Sequence, residues 1–309
     1  MPQVVLRTES LCKKYQTHFW SKIKVALHDL NLEVNSGEVF GFLGPNGAGK
    51  TTSIKAIFHI VRPTTGRAYI FGKDVGRHPG VLAKVGFLPE NPYFYDHLKG
   101  REFLDTCARL FGMSQPERRR RIAELLGLVG LEDSGDVPLR KYSKGMLQRI
   151  GLAQALVNNP DLVILDEPLT GLDPLGRKQV KDLILSLKEQ GRTVFFSSHI
   201  LPDVEMLCDR VGIIWQGRLV KTGRLDQLLS EKVESVELTV DSLEQKFRPE
   251  VSSLAAKTVE RDDKLMLTFG DQPAADKALK LCLERGGRVV SFIPQRRSLE
   301  QVFLEEVKP

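Results

Sequence analysis

Cysteine is scarce. Cys12, Cys107, Cys208 and Cys282 are the only four among 309 residues and stand far apart. With no Cys-x-x-Cys pair and no Cys/His cluster, neither a zinc site nor a disulfide framework is indicated. No run approaches the ~20 apolar residues that a membrane-crossing helix needs. The opening Met-Pro-Gln-Val-Val-Leu-Arg runs into Thr8, Glu9 and Ser10 without a signal-peptide core. These absences predict a cytosolic protein that reaches a membrane only through a partner. Charge of one sign is also lacking: 45 Lys and Arg against 39 Asp and Glu leave +6, too mild an excess to argue for nucleic acid. What is present, 41% apolar and 27% charged residues, is the balance of a folded chain. At ~150 residues per domain, the length suggests about two domains.

Hydrophobic periodicity organises the chain. Val4, Leu6 and Thr8, then Leu30, Leu32 and Val34, alternate as strands do, and Val39–Leu43 reads as a short buried strand. A helix is predicted from Lys50 to about Ile60, ended by Pro63, with further strands at 68–72 and 85–88. From about 97 to 158 the pattern is helical. Ser114 and Glu117 have capping-box spacing, and the run Arg118–Arg121, with no aromatic residue interleaved, reads as a solvated helix face. Strands return at 162–166, 193–197 and 211–215 with helical stretches between them. Such alternation predicts a parallel α/β sheet carrying a helical insertion. Beyond Gly223 the character shifts to a short helix at 225–230, period-2 strands at 233–240, 264–269 and 288–293, and amphipathic helices at 274–284 and 298–307. The expected division is 1–224 and a small α+β domain at 225–309.

Gly44-Pro45-Asn46-Gly47-Ala48-Gly49-Lys50-Thr51 fits G-x-x-x-x-G-K-[ST], with Thr52 behind it, after an apolar strand and at the head of a helix. Glycines let successive N–H groups turn inward toward phosphate oxygens, and the helix N-terminus adds partial positive charge. Lys50 supplies a full charge to the β- and γ-phosphates, and the Thr51 hydroxyl suits Mg²⁺. A second site signal closes the strand Leu162–Leu165, which ends in Asp166-Glu167-Pro168. Strand ends of this kind are where α/β sheets bind ligands. Asp166 is assigned to Mg²⁺, directly or through water. Glu167, one step further along an alternating strand, is assigned to orient and polarise the attacking water.

With these motifs in order, the sequence resembles the ATP-binding cassette (ABC) ATPases. Tyr142-Ser143-Lys144-Gly145-Met146-Leu147-Gln148-Arg149 is similar to that family's Leu-Ser-Gly-Gly-Gln signature and its following x-Gln-Arg, with departures at Lys144 and Met146. Gly171-Leu172-Asp173-Pro174 looks like its D-loop. Ser197-Ser198-His199 looks like its switch, whose histidine meets the γ-phosphate. Glu90 stands where the family carries a glutamine that reaches the metal. Tyr15 fits the slot of an aromatic that stacks on adenine, with Phe19 or Trp20 in a neighbouring insertion as the alternative. The C-terminal segment is similar to the extension of type-2 exporter ATPases.

The resemblance implies a RecA-like P-loop core with a β subdomain and a helical signature subdomain. Nucleotide contacts fall to Tyr15, residues 44–52, Ser143, Gly145 and Asp173. Metal contacts fall to Thr51, Glu90 and Asp166, and catalysis to Glu167 and His199. It further implies ATP and Mg²⁺ as cofactors and a homodimer of cassettes in which the phosphate loop of one copy faces the signature of the other. The partner is a transmembrane permease subunit, on which the chain sits peripherally at the inner face of the cell membrane. Tyr93, Phe94 and Tyr95 are candidates for docking that partner. Two alternatives are a soluble cassette acting on nucleic acid or ribosomes and a non-hydrolysing nucleotide-gated regulator.

Overall fold

Alternating apolar residues become two long antiparallel strands, β1 (Val4–Tyr15) and β2 (Lys24–Asn35), in a computed structural model that describes residues 3–16, 23–229, 233–296 and 298–307. β3 (Val39–Leu43) is buried at every position, as a strand covered on both faces must be. α1 (Lys50–Ile57) follows it, shorter than the pattern predicted. His59 takes a left-handed φ of 56°, which turns the chain after Phe58, whose ring lies 4.5 Å from that of Phe87. β4 (Thr65–Ile70) and β5 (Lys73–Asp74) join the first pair in the order β2-β1-β4-β5. Phe71 and Gly72, expected in the strand, form the turn between them, both at positive φ.

β6 (Val85–Leu88) leads to the helical region, built from α2 (Gly100–Leu110), α3 (Gln115–Leu128) and α4 (Lys144–Ala155). Ser114 and Glu117 close the capping box on α3. The basic run departs from the expected solvated face. Arg118 donates to Asp105 Oδ1 at 2.6 Å, and Arg121 donates to Leu156 O, also at 2.6 Å. The first and last arginines of the run, three positions apart on one helix face, therefore fasten α3 to α2 and to the last carbonyls of α4, where a cation meets the negative helix end.

β7 (Leu162–Asp166), α5 (Pro174–Glu189), β8 (Thr193–Ser198), α6 (Leu201–Leu207), β9 (Arg210–Trp215) and β10 (Arg218–Arg224) complete the first unit. The central sheet runs β10-β9-β3-β8-β7-β6. All its pairings are parallel except the β9–β10 hairpin, which the sequence reading did not anticipate. Parallel strands point their C-terminal ends the same way. The loops after β3, β6, β7 and β8 therefore gather along one edge, which is where such sheets hold ligands.

The boundary between the units falls at Leu225 and Asp226, within α7 (Leu225–Leu228). The second unit contains β11 (Val233–Asp241), α8 (Arg248–Ser252), β12 (Lys257–Arg261), β13 (Lys264–Phe269), α9 (Gln272–Glu284), β14 (Arg288–Arg296) and α10 (Leu299–Glu306). Its antiparallel sheet, β12-β13-β11-β14, packs Val236, Leu238, Leu265 and Leu267 with Ala275, Ala278 and Cys282 of α9 in a core of its own. No described helix is long and apolar enough to cross a membrane.

Candidate functional site

The loop after β3 curls as its glycines require: Gly47 and Gly49 have φ of 80° and 111°, values that side chains with a Cβ rarely adopt. Gly49 is also the N-cap of α1. Lys50, the first residue of that helix, is buried and donates to Gly44 O at 2.7 Å and Pro45 O at 3.2 Å. Its ammonium also lies 3.1 Å from Glu167 Oε1.

Around Glu167 the strand prediction needs correction. β7 stops at Asp166, and Glu167 takes a left-handed φ of 52°. It therefore leaves the alternation and turns its carboxylate toward the loop. There Glu167 Oε2 lies 2.9 Å from His199 Nδ1 and accepts from Thr170 Oγ1 at 3.0 Å. Glu167 Oε1 has the Lys50 charge beside it but no hydrogen-bond partner among the described residues. A buried carboxylate oxygen with unmet hydrogen-bonding capacity is costly, and a water molecule donating to it would satisfy it.

Ser197 joins the two acids. It donates to Asp166 Oδ1 at 2.6 Å and accepts from the Glu167 N–H at 2.9 Å. Burial pushes the Asp166 carboxyl above the usual carboxylate range; hydrogen bonds from Ser197 and Thr51 hold it down, and the Glu90 and Glu167 charges add to the rise. A dication would relieve that repulsion. The donor set fits Mg²⁺: one hydroxyl, one buried carboxylate and the exposed Glu90, with no group of three or more His, Cys, Asp or Glu side chains able to hold a metal among the described residues. Mg²⁺ takes few protein ligands and completes its octahedron with phosphate oxygens and water.

These groups open on a cavity of about 650 Å³, within the usual span of ligand pockets. Of the expected residues, Tyr15, Asn46, Gly47, Gly49, Lys50, Thr51, Thr52, Glu90 and Glu167 line it. Gly44, Pro45, Ala48, Asp166 and His199 are not among the lining residues; Gly44 and Pro45 accept from Lys50, and His199 is exposed and contacts Glu167. Lys13 Nζ sits 4.9 Å from the Tyr15 ring centroid, and Tyr15 is 38% exposed at the cavity. Phe19 and Trp20 lie outside the described residues. Lys24, Val25, Ala26 and His28 of β2 and the turn residues Gln216 and Gly217 also line the cavity. Sequence reasoning missed all six, although the pairing of Tyr15 with Lys24 would have pointed to β2.

Ser143, Gly145 and Asp173 are not brought to this cavity. Ser143 is exposed and caps α4, its hydroxyl accepting from Met146 N at 3.2 Å. Asp173 caps α5, accepting from Gly176 N at 2.9 Å. Gln148 of α4 is buried and donates to Pro168 O at 3.1 Å, tying the signature helix to the turn that carries Glu167. Asp203 of α6, also buried, accepts from Arg177 at 2.6 Å and pairs with Lys181 at 2.7 Å, so the helices after Asp173 and His199 are fastened together. Of the three docking candidates, Phe94 is 7% exposed and packs edge-on against Phe103, whereas Tyr93 and Tyr95 are 90% and 58% exposed.

Known proteins share this arrangement. The family described as ABC transporter matches residues 27–170. An uncharacterised ABC transporter ATP-binding protein of Nostoc is 44% identical over 99% of this chain and 90% of its own length. The bacitracin transport ATP-binding protein BcrA of Bacillus licheniformis is 34% identical over 97% of this chain and 96% of its own length. Among solved structures, the dimeric post-hydrolysis ATP-binding cassette MJ0796, bound to ADP and Pi, superposes with a TM-score of 0.66 at 26% identity, covering 71% of this chain and 98% of that one. This chain is therefore an ATPase, and it belongs to the ATP-binding proteins of ABC transporters.

Proposed function

We propose that two copies of this chain close head to tail on ATP and Mg²⁺, and that opening after hydrolysis drives export through a separate transmembrane subunit. The observation that carries the reading is the exposed cap of α4. Ser143 and Gly145 stand outside the cavity that holds the phosphate loop of the same chain, which leaves them available to the cavity of a second copy. The name of the bacitracin transport relative supports transport as the output, and a relative named Nod factor export ATP-binding protein I, from Cupriavidus metallidurans and 33% identical over 97% of this chain, supports its direction. The chain then sits peripherally at the inner face of the cell membrane, with the exposed Tyr93 and Tyr95 against the permease.

In this mechanism Lys50 exchanges its carbonyl contacts and the Glu167 charge for the β- and γ-phosphates, while Tyr15 stacks on adenine. Thr51 and Asp166, with Glu90, would hold Mg²⁺, which when bound neutralises charge on the transferring phosphoryl group. Glu167 orients the attacking water and accepts its proton. His199 fixes that carboxylate through the 2.9 Å contact and meets the γ-phosphate, and Ser143 and Gly145 of the other copy meet it from across the interface. Losing the γ-phosphate removes the contacts of His199 and Ser143, so one phosphate sets whether the pair is closed.

Light scattering on a size-exclusion column tests this. Glu167→Gln with Mg²⁺ and ATP is expected to run as a dimer with turnover reduced at least about a hundredfold, and Lys50→Ala to stay monomeric with weakened ATP binding. A monomeric Glu167→Gln at saturating ATP, or one with undiminished turnover, would overturn the reading.

A further inference from the structure

The β9–β10 hairpin turns through two residues, Gln216 and Gly217, both at positive φ (46° and 77°) between the paired Trp215 and Arg218. This is the requirement of a type I′ turn. The turn does more than reverse the chain. Gly217 N donates to Ala48 O in the phosphate loop at 2.8 Å, and Gly217 O accepts from His28 N of β2 at 2.8 Å. One buried glycine thus hydrogen-bonds both the loop that would grip phosphate and the strand that walls the cavity beside Tyr15. Space there is tight: a Cβ on Gly217 would lie 2.5 Å from Ala26 O, and one on Gly49 would lie 3.4 Å from the Gly217 Cα. Gln216, next to it, is exposed at the mouth of the cavity and lines it together with Lys24, Val25 and His28.

We infer that this turn is a nucleotide-positioning element with two separable parts. The Gly217 backbone sets the phosphate loop in register with β2. The Gln216 amide contacts the base or ribose, the polar part of the ligand that the phosphate loop does not reach. The inference rests on the reading of the cavity as the nucleotide site. It adds a specificity contact that comes from neither the phosphate loop nor the aromatic slot.

Two probes separate the parts: ATP, and inorganic tripolyphosphate, which has neither base nor ribose. Binding of each to the full chain is measured by calorimetry. Gln216→Asn keeps a residue that tolerates left-handed φ but shortens the reach. It is expected to weaken ATP by about threefold to tenfold, the effect of one hydrogen bond, and to leave tripolyphosphate unchanged. Gly217→Asn likewise accepts the backbone angle but drives a Cβ against Ala26 O, and is expected to weaken both probes to a similar degree. Gln216→Asn is at the surface in a turn that favours Asn, so it tests the contact even if Gly217→Asn does not fold. If Gln216→Asn binds ATP as the parent does, or weakens both probes equally, the base or ribose contact is refuted. A folded Gly217→Asn that binds both probes normally refutes the register role. A parent chain that binds neither probe refutes the nucleotide reading of the cavity itself, and the inference with it.

Discussion

Ser197 is the residue on which both acids lean. Its hydroxyl donates to Asp166 and accepts from the Glu167 backbone, so it fixes one carboxylate by charge-assisted bonding and the other by the turn of the main chain. Ser197→Ala removes both. Catalysis depends on placement within fractions of an ångström, so turnover is expected to fall about tenfold or more while the KM for ATP changes little. The pH profile gives a second reading. Burial already raises the Asp166 pKa, and the Ser197 hydrogen bond opposes that rise. Without it the carboxyl takes up its proton at higher pH, so the acid limb of the turnover profile moves to higher pH. An acid limb that stays in place would show that Ser197 does not govern Asp166.

At the scale of elements, the segment between β6 and α2 divides its three aromatics between interior and surface. Phe94 is packed on Phe103, while Tyr93 and Tyr95 meet each other edge-on with ring centroids 6.5 Å apart. Phe94→Ser is expected to lower stability by about 3 kcal/mol. The Tyr93→Ser, Tyr95→Ser double variant is expected to stay within about 0.5 kcal/mol and yet lose co-purification with the permease. Urea unfolding and affinity capture of the complex measure the two effects, and a double variant that still holds the permease would remove these tyrosines from the dock. This division marks where sequence reading reaches its limit. Glycine spacing and apolar strands disclosed the phosphate loop and the order of the central elements, because steric rules act locally. Three neighbouring aromatics carry no record of which one turns inward. The arginines at 118 and 121 were hidden by their exposed neighbours at 119 and 120, and β12, exposed at all five positions, has no buried face to create alternation. Glu167 was found by type but misplaced by pattern, because its left-handed backbone obeys the turn and not the strand.

The whole molecule has two separately cored units. The first contains the phosphate loop, the acidic strand end, the switch and the signature; the second contributes none of the cavity residues. A chain cut after Leu225 is therefore expected to fold cooperatively and to bind ATP within about threefold of the full chain. Circular-dichroism melting and calorimetry check this, and an insoluble or molten fragment would show that the C-terminal unit is needed for the first to fold. We assign that unit an accessory role. One bond inside the first unit bears on the proposed dimer: the buried bond from Gln148 to the Pro168 carbonyl. In each copy it couples the helix that would embrace a neighbour's fuel to the bend that cleaves its own. Firing at either station would then be felt at the other, and the pair would run as a two-stroke engine with a single shaft.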